Sequence, residues 1–220
     1  MSDLRRIRVL LVDDDPIVCA GLELMLSSAD DVQVVGRADD GDQALEAIRA
    51  HRPDVVLMDV RMQRQDGVTT TGQIKRLDDP PRVVVLTTFD ADDVVVRAIT
   101  AGADGFLLKT SSPTQILDAV RGVDGGQATL SPATVRAVFA HVASSNDPER
   151  TAARTAVERL TDREREVAVA VARGLSNAQI ARELYSSEAT VKTHLASAQH
   201  KLGVSNRVSV AVVVTKAGLA

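Results

Sequence analysis

Four apolar runs in this 220-residue chain end in side chains suited to chemistry on a phosphate or a metal. Ile7 to Val12 is closed by Asp13, Asp14 and Asp15, and Val55 to Met58 by Asp59. Val83 to Leu86 is closed by Thr87 and Thr88, and Gly105 to Leu108 by Lys109. Runs this short and this rich in branched residues read as buried parallel strands. In an open parallel sheet the carboxyl ends of the strands line one crevice, so carboxylates, a hydroxyl and an ammonium would meet there. Crowded carboxylates repel, and Asp13, Asp14 and Asp59 need a proton or a cation to offset them. Oxygen donors without a nearby His or Cys favour a hard divalent ion, Mg2+ above others. Such an ion would also neutralise a transferred phosphoryl group, with Lys109 pairing a second phosphate oxygen and Thr87 donating a hydrogen bond to a third.

Bringing those groups together requires strands that alternate with helices. Pro16 to Leu26 has a broad apolar face (Ile17, Val18, Ala20, Leu22, Leu24, Met25, Leu26), and Val32 to Val35 follows as a strand. Gly41 to Ala50 is a short helix with Ala44, Leu45 and Ile48 inward. Gly67 to Leu77 is a weaker one, because Thr69, Thr70, Thr71 and Gly72 have modest helix propensity. Asp92 to Ala101 and Ser112 to Arg121 complete the series, the last capped by Ser111 or Ser112 with Pro113 at its first position. The pattern predicts an α/β domain over residues 7–122, a doubly wound five-stranded parallel sheet.

Residues 123–156 read as a linker with a short helix. Gly125 and Gly126 stop the preceding helix, Ser131-Pro132 starts a new one to about Val142, and Ser144 to Pro148 is a polar break. The stretch is expected to act as a hinge. Residues 157–220 are helical throughout in pattern and predict a small all-α domain. Thr161, with Glu164 three residues on, caps a helix to Arg173, and Ser176 caps a short one over Asn177 to Leu184. Ser186-Ser187 breaks it and caps a longer helix, Glu188 to Leu202, and Arg207 to Lys216 is the last. Two helices joined by a tight turn, the second longer and basic, define a helix-turn-helix, whose second helix enters the DNA major groove. Val191, Leu195 and Leu202 serve its core, leaving Thr190, Lys192, Thr193, Ala196 and Ser197 for the groove. Lys192 suits a guanine edge or a phosphate, Thr193 and Ala196 a thymine methyl, and the hydroxyls phosphates. His194 is as well placed for a phosphate or capping contact as for base readout.

Charge divides along the same line. Residues 1–125 hold 14 Lys and Arg against 22 Asp and Glu, whereas residues 150–220 hold 11 against 6. The basic end suits a polyanion. The chain has no Trp, one Tyr and three Phe, so its cores must be aliphatic and one easy marker of a nucleic-acid stacking surface is missing. Cys19 falls on an apolar helix face and reads as packing. No run approaches the ~18 apolar residues of a membrane span, and the N-terminus lacks the apolar region of a signal peptide, so a cytoplasmic, non-membrane protein is expected.

The spaced motifs VDDDP, MDVRM followed by DG, LTTFD and GADGFLLK resemble a two-component receiver domain of flavodoxin-like fold, and LTDRERE, GLSNAQIA, TVKTHL and KLGV are similar to a LuxR-type helix-turn-helix. The whole resembles a NarL/FixJ-type response regulator. The resemblance implies a sheet order 2-1-3-4-5 and a partner histidine kinase that phosphorylates Asp59. It implies Mg2+ held by Asp13, Asp14, Asp59 and the backbone carbonyl of Arg61, with Thr87, Phe106 and Lys109 as the phosphate-binding and switch residues. Thr87 would move toward the phosphate and Phe106 turn inward. It also implies contacts with double-stranded promoter DNA from Asn177, Gln179, Thr190, Lys192, Thr193, His194, Ala196, Ser197 and Lys201. A homodimer when phosphorylated is expected, since one helix reads few base pairs. The apolar positions Val208, Ala211 and Val212 are the candidate seam.

Three positions depart from the family pattern. Gln63 replaces the usual proline, which predicts a more mobile loop after Asp59, while Ser186 and Gln199 replace apolar residues. An aspartate-nucleophile phosphatase would carry a second Asp two residues after the nucleophile, where this chain has Arg61, so an enzyme is not expected. The alternative is a phosphorylation-independent DNA-binding regulator whose receiver serves dimerisation or ligand binding.

Overall fold

The computed structural model describes residues 5–88, 92–130 and 147–219. The front half alternates as expected: β1 (Ile7–Val12), α1 (Pro16–Leu26), β2 (Val32–Ala38), α2 (Gly41–His51), β3 (Val55–Asp59), α3 (Gly67–Ile74), β4 (Arg82–Thr87), α4 (Asp92–Ala101), β5 (Gly105–Leu108) and α5 (Pro113–Asp124). Every pairing is parallel, in the order β2-β1-β3-β4-β5. Beyond β5 lies a sixth strand, β6 (Thr129–Leu130), pairing Gly105 with Thr129 and Phe106 with Leu130. Two residues are too few to show a period, so the sequence reading stopped at five strands.

Strand residues alternate between two cores. Leu10, Val12, Val56, Met58, Val83, Val85 and Phe106 face α2, α3 and α4. Val9, Leu11, Val55, Leu57, Val84 and Leu86 face α1 and α5, where Cys19 is a packing residue. Burial on both sides explains the uninterrupted apolar runs. Register then sets the edge: Asp59 lies opposite Leu86, Thr87 opposite Leu108 and Val12 opposite Met58, so the side chains that follow converge.

Local chemistry fixes the helix ends. Asp15 caps α1, accepting from the Ile17 N–H with Pro16 next to it. Asp66 caps α3, accepting from the Val68 and Thr69 N–H groups. The buried Thr70 and Thr71 hydroxyls donate back to the carbonyls of Asp66 and Gly67, which lets this threonine-rich helix pack inward, though it ends at Ile74 rather than Leu77. Ser112 and Gln115 form a capping box on α5.

The expected helix from Ser131 to Val142 lies outside the described residues. The linker is shorter than the sequence suggested. Residues Asp147 to Glu158 form a helix, α6, with Pro148 in its first turn, where a proline costs no hydrogen bond. Its Ala153 and Val157 are buried with α7 (Asp162–Ala172), α8 (Asn177–Glu183), α9 (Glu188–Leu202) and α10 (Arg207–Lys216). The compact helical unit therefore begins about ten residues before position 157. Among the described residues no helix is long and apolar enough to cross a membrane.

Candidate functional site

Asp13 and Asp59 are buried and Asp14 is half-buried at the carboxyl edge of the sheet, and one carboxylate oxygen of each lies within 4.8 Å of the others. The Lys109 ammonium enters the group, with Nζ 2.6 Å from Asp13 Oδ2 and 3.1 Å from Asp59 Oδ2. Asp13 Oδ1 accepts the Asp15 N–H at 3.0 Å, while the buried Oδ2 has the ammonium as its partner. Burial pushes the Asp59 carboxyl above its ordinary range; Lys109 opposes this, Asp13 adds to it, and the Arg61 N–H bonds to the carboxylate. Burial works against the charge on Lys109, but its two carboxylate partners outweigh that and hold its proton more tightly than usual.

Three carboxylates against one ammonium leave a local excess of negative charge in a half-dry crevice. All the donors are oxygens on three residues from two strand ends, a set that fits a hard divalent cation and offers nothing to a soft one. Thr87 is buried beside this group, and its carbonyl accepts the Lys109 N–H at 2.7 Å. Phe106 is fully buried in this structure. A ring without a hydroxyl has no polar end to leave in water, and Phe106 packs in the same apolar cluster as Val95, Ala98 and Ile99 of α4.

In the helical domain the structure separates the nine predicted groove residues into two sets. Thr190, Lys192, Thr193 and Ala196 are exposed on α9, and His194 is half-buried. Gln179 is exposed and closes the α8 capping box, its Oε1 accepting the Ser176 N–H and its backbone N–H donating to the Ser176 hydroxyl. Asn177 is buried and accepts from Arg207 at 2.7 Å. Ser197 donates to Glu164 at 2.6 Å, and Lys201 lies 2.7 Å from the same carboxylate. Those two bonds, with help from the cap at Thr161, pull the Glu164 carboxyl down to about 2. The sequence identified Glu164 as a capping residue through its spacing from Thr161. Its hold on Ser197 and Lys201, more than 30 residues away, has no local signal.

Part of the exposed face of α9, at Lys192 and Ala196, fronts the sheet domain. Lys192, Ala196 and Gln199 line one side of a cleft of roughly 260 Å3, with Arg82, Asp104 and Gln127 of the sheet domain on the other. Beneath that wall, the buried Asp104 carboxylate accepts from the Val83 N–H at 2.9 Å and pairs with Lys75 at 2.6 Å and Arg82 at 3.2 Å. Next to the cleft, Asn206 donates Nδ2 to the main-chain oxygen of Ile99 at 2.8 Å. Val208, first of the candidate seam residues, is buried in the α4 cluster; Ala211 and Val212 are half-buried. The seam is thus partly covered within the chain. The helical domain sits at the amino ends of β4 and β5, the pole opposite Asp59.

Comparison with known proteins agrees with this division. Residues 9–121 match the model for the response regulator receiver domain, and residues 158–214 the model for bacterial regulatory proteins of the luxR family. The transcriptional regulatory protein LiaR of Bacillus subtilis is 38% identical over 94% of this chain and 95% of its own. A probable transcriptional regulatory protein NarL of Mycobacterium tuberculosis is 39% identical over 92% of this chain and 90% of its own. The crystal structure of ChrA, the response regulator of a heme-sensing two-component system, is 37% identical, covers 99% of this chain and 100% of its own, and superposes with a TM-score of 0.54.

Proposed function

This chain belongs to the response regulators that join a receiver domain to a LuxR-type DNA-binding domain, and from that premise we propose that Asp59 is its phosphoacceptor and that phosphorylation frees the DNA-binding helix α9. One observation carries the reading: Asp59 and Asp13 are drawn onto a single ammonium, with Lys109 Nζ within 3.1 Å of each.

In the reaction, an Asp59 oxygen attacks the phosphorus of a phosphohistidine on the partner kinase. The P–O bond forms as the P–N bond breaks, and the imidazole leaves with the electron pair and takes a proton. Lys109 is placed to turn from the carboxylates to a phosphoryl oxygen, and the Thr87 hydroxyl to donate to another. The backbone carbonyl of Arg61 joins Asp13, Asp14 and Asp59 as the residues that would hold the divalent ion. Mg2+ bound there supplies charge neutralisation for the phosphoryl oxygens and for the carboxylates that must stay ionised.

The kinase needs a surface beside the pocket, and α1 offers one. Its cap, Asp15, adjoins the acidic group, and its Ile17 and Leu24, seven residues apart and so on one face, are 80% and 75% exposed. At the other pole, Lys192 and Ala196 face the receiver, so DNA binding through α9 requires the two domains to part. A bias of a few kcal/mol from one phosphate is enough to reverse such a balance. Freed helices then pair on two half-sites of promoter DNA as a dimer.

The direct test is incorporation of labelled phosphate from a small-molecule donor with Mg2+. Wild type takes up acid-stable, base-labile label and Asp59→Asn takes up none; label in the variant removes Asp59 from the role.

A further inference from the structure

The loop that follows Asp59, from Val60 to Asp66, carries Gln63 where a proline would restrict the chain, yet the structure ties it down from outside. Asp40, at the start of α2 and 2% exposed, accepts the Arg64 N–H on Oδ2 and the Gln65 N–H on Oδ1, both at 2.9 Å. Its Oδ2 is also 3.6 Å from the Arg64 guanidinium, whose other end reaches Asp42 at 3.0 Å. A buried carboxylate that engaged no donors would be expelled or protonated. Here burial pushes the carboxyl up, but the Arg64, Gln65 and Gly41 N–H groups and the Arg64 charge more than reverse it, so the charge stays.

Neighbouring residues are shaped around this contact. A Cβ on Gly41 would run into the Thr70 hydroxyl and the Gln65 carbonyl, so only glycine lets α2 approach the loop. At the loop's base, the Gly67 N–H donates to the Val60 carbonyl at 2.9 Å, and a Cβ on Gly67 would collide with the Asp59 carbonyl. Two fastenings thus bracket Arg61: the base at Val60 and Gly67, and the apex at Asp40. Between them the Arg61 N–H meets the Asp59 carboxylate.

We propose that Asp40 is a positioning residue for phosphoryl transfer, fixing the Val60 to Asp66 loop so that the main-chain groups of Arg61 are set for the divalent ion and for Asp59. The proposal rests on the reading of Asp59 as phosphoacceptor. Asp40 supplies from across the loop the restraint that Gln63 does not supply within it. It touches neither phosphate nor metal and acts through the backbone it holds. Residues that orient metal-binding groups in this way change affinity by about 10- to 100-fold when removed.

The test is calorimetric titration of the full chain with Mg2+ alone, for wild type, Asp40→Asn and Asp40→Ala. The isosteric amide keeps one acceptor oxygen, so affinity is expected to fall in the order wild type, Asp40→Asn, Asp40→Ala, the last by at least about tenfold. Ile116→Val, in the core on the other face of the sheet, controls for lost stability and should leave Mg2+ affinity unchanged. Hydrolysis of the acyl phosphate at saturating Mg2+ gives a second readout, expected to change in the Asp40 variants and not in the control. Wild-type affinity in Asp40→Ala, or an equal loss in the control, overturns the proposal. Failure of the Asp59 reading shows elsewhere, as label taken up by Asp59→Asn, and leaves the Mg2+ ranking to decide the role of Asp40.

Discussion

Asn206 joins two helices from different domains: its Oδ1 accepts the Ser209 N–H at 2.6 Å to cap α10, and its Nδ2 donates to the Ile99 carbonyl near the end of α4 at 2.8 Å. The residue is fully buried, so neither bond is shared with bulk water. Ser209 Oγ also reaches the Ile99 carbonyl, at 3.3 Å. One amide, oriented by the helix it caps, thus ties the two domains together alongside Ser209 and the buried Val208.

Replacing Asn206 with Asp keeps an oxygen for the cap and puts a second oxygen against the Ile99 carbonyl. Losing a buried hydrogen bond of this kind costs about 1–3 kcal/mol, which shifts the balance between docked and parted domains by roughly 5- to 150-fold. The unphosphorylated variant is expected to have a larger radius of gyration by small-angle scattering and to bind promoter DNA more tightly than unphosphorylated wild type. Unchanged scattering and unchanged affinity together would show that this bond does not hold the domains.

Glu164 makes the stability of the helical domain depend on acid. Its carboxyl is held at about 2 against an ordinary value of 4.5, through Lys201 first, then Ser197. A carboxyl lowered on folding contributes stability that is complete above pH ~4.5 and is lost as the pH falls toward ~2. With Lys201 one-third exposed, solvent screening reduces the contribution to about 1–2 kcal/mol. Glu164→Gln preserves the capping box and removes the charge. Its thermal midpoint should fall at pH 7 and converge with wild type near pH 2, measured by circular dichroism.

The exposed pair on α1 distinguishes kinase docking from the chemistry at Asp59. Changing Ile17 and Leu24 together to Glu should slow phosphotransfer from the partner kinase by an order of magnitude or more, while labelling by a small-molecule donor stays at the wild-type rate. Slowing of both would mean that the substitutions disturb the pocket, whose Asp15 cap begins the same helix.

How much of this was legible before the structure follows from the range of the forces involved. Asp13, Asp59, Thr87 and Lys109 announced themselves because each closes an apolar run, and parallel strands bring such ends together whatever lies between them. Caps at Thr161 and Ser176 were legible for the same reason, since a cap and its partner are three residues apart, while those at Ser112 and Ser187 could be narrowed only to a pair of adjacent serines. Contacts that span the chain left no such pattern. The hold of Asn206 on Ile99, 107 positions away, follows from how the domains meet. The N–H groups that Asp40 holds lie 24 and 25 positions on. The apolar face of α10 was visible, but pattern alone could not say that Val208 packs on α4 of the same chain. The helix from Asp147 was hidden by Pro148, which marks a break in most contexts and a first turn in this one.

The most direct measurement of the central claim is sedimentation of wild type and Asp59→Asn with Mg2+ and labelled promoter DNA from the protein's own locus, before and after a small-molecule phosphoryl donor. The account predicts that the donor drives wild type alone to a dimer that binds the DNA more tightly, by tenfold or more, and leaves Asp59→Asn unchanged. Equal binding by both proteins, with and without donor, would contradict it and make this a DNA-binding regulator whose receiver is not the gate.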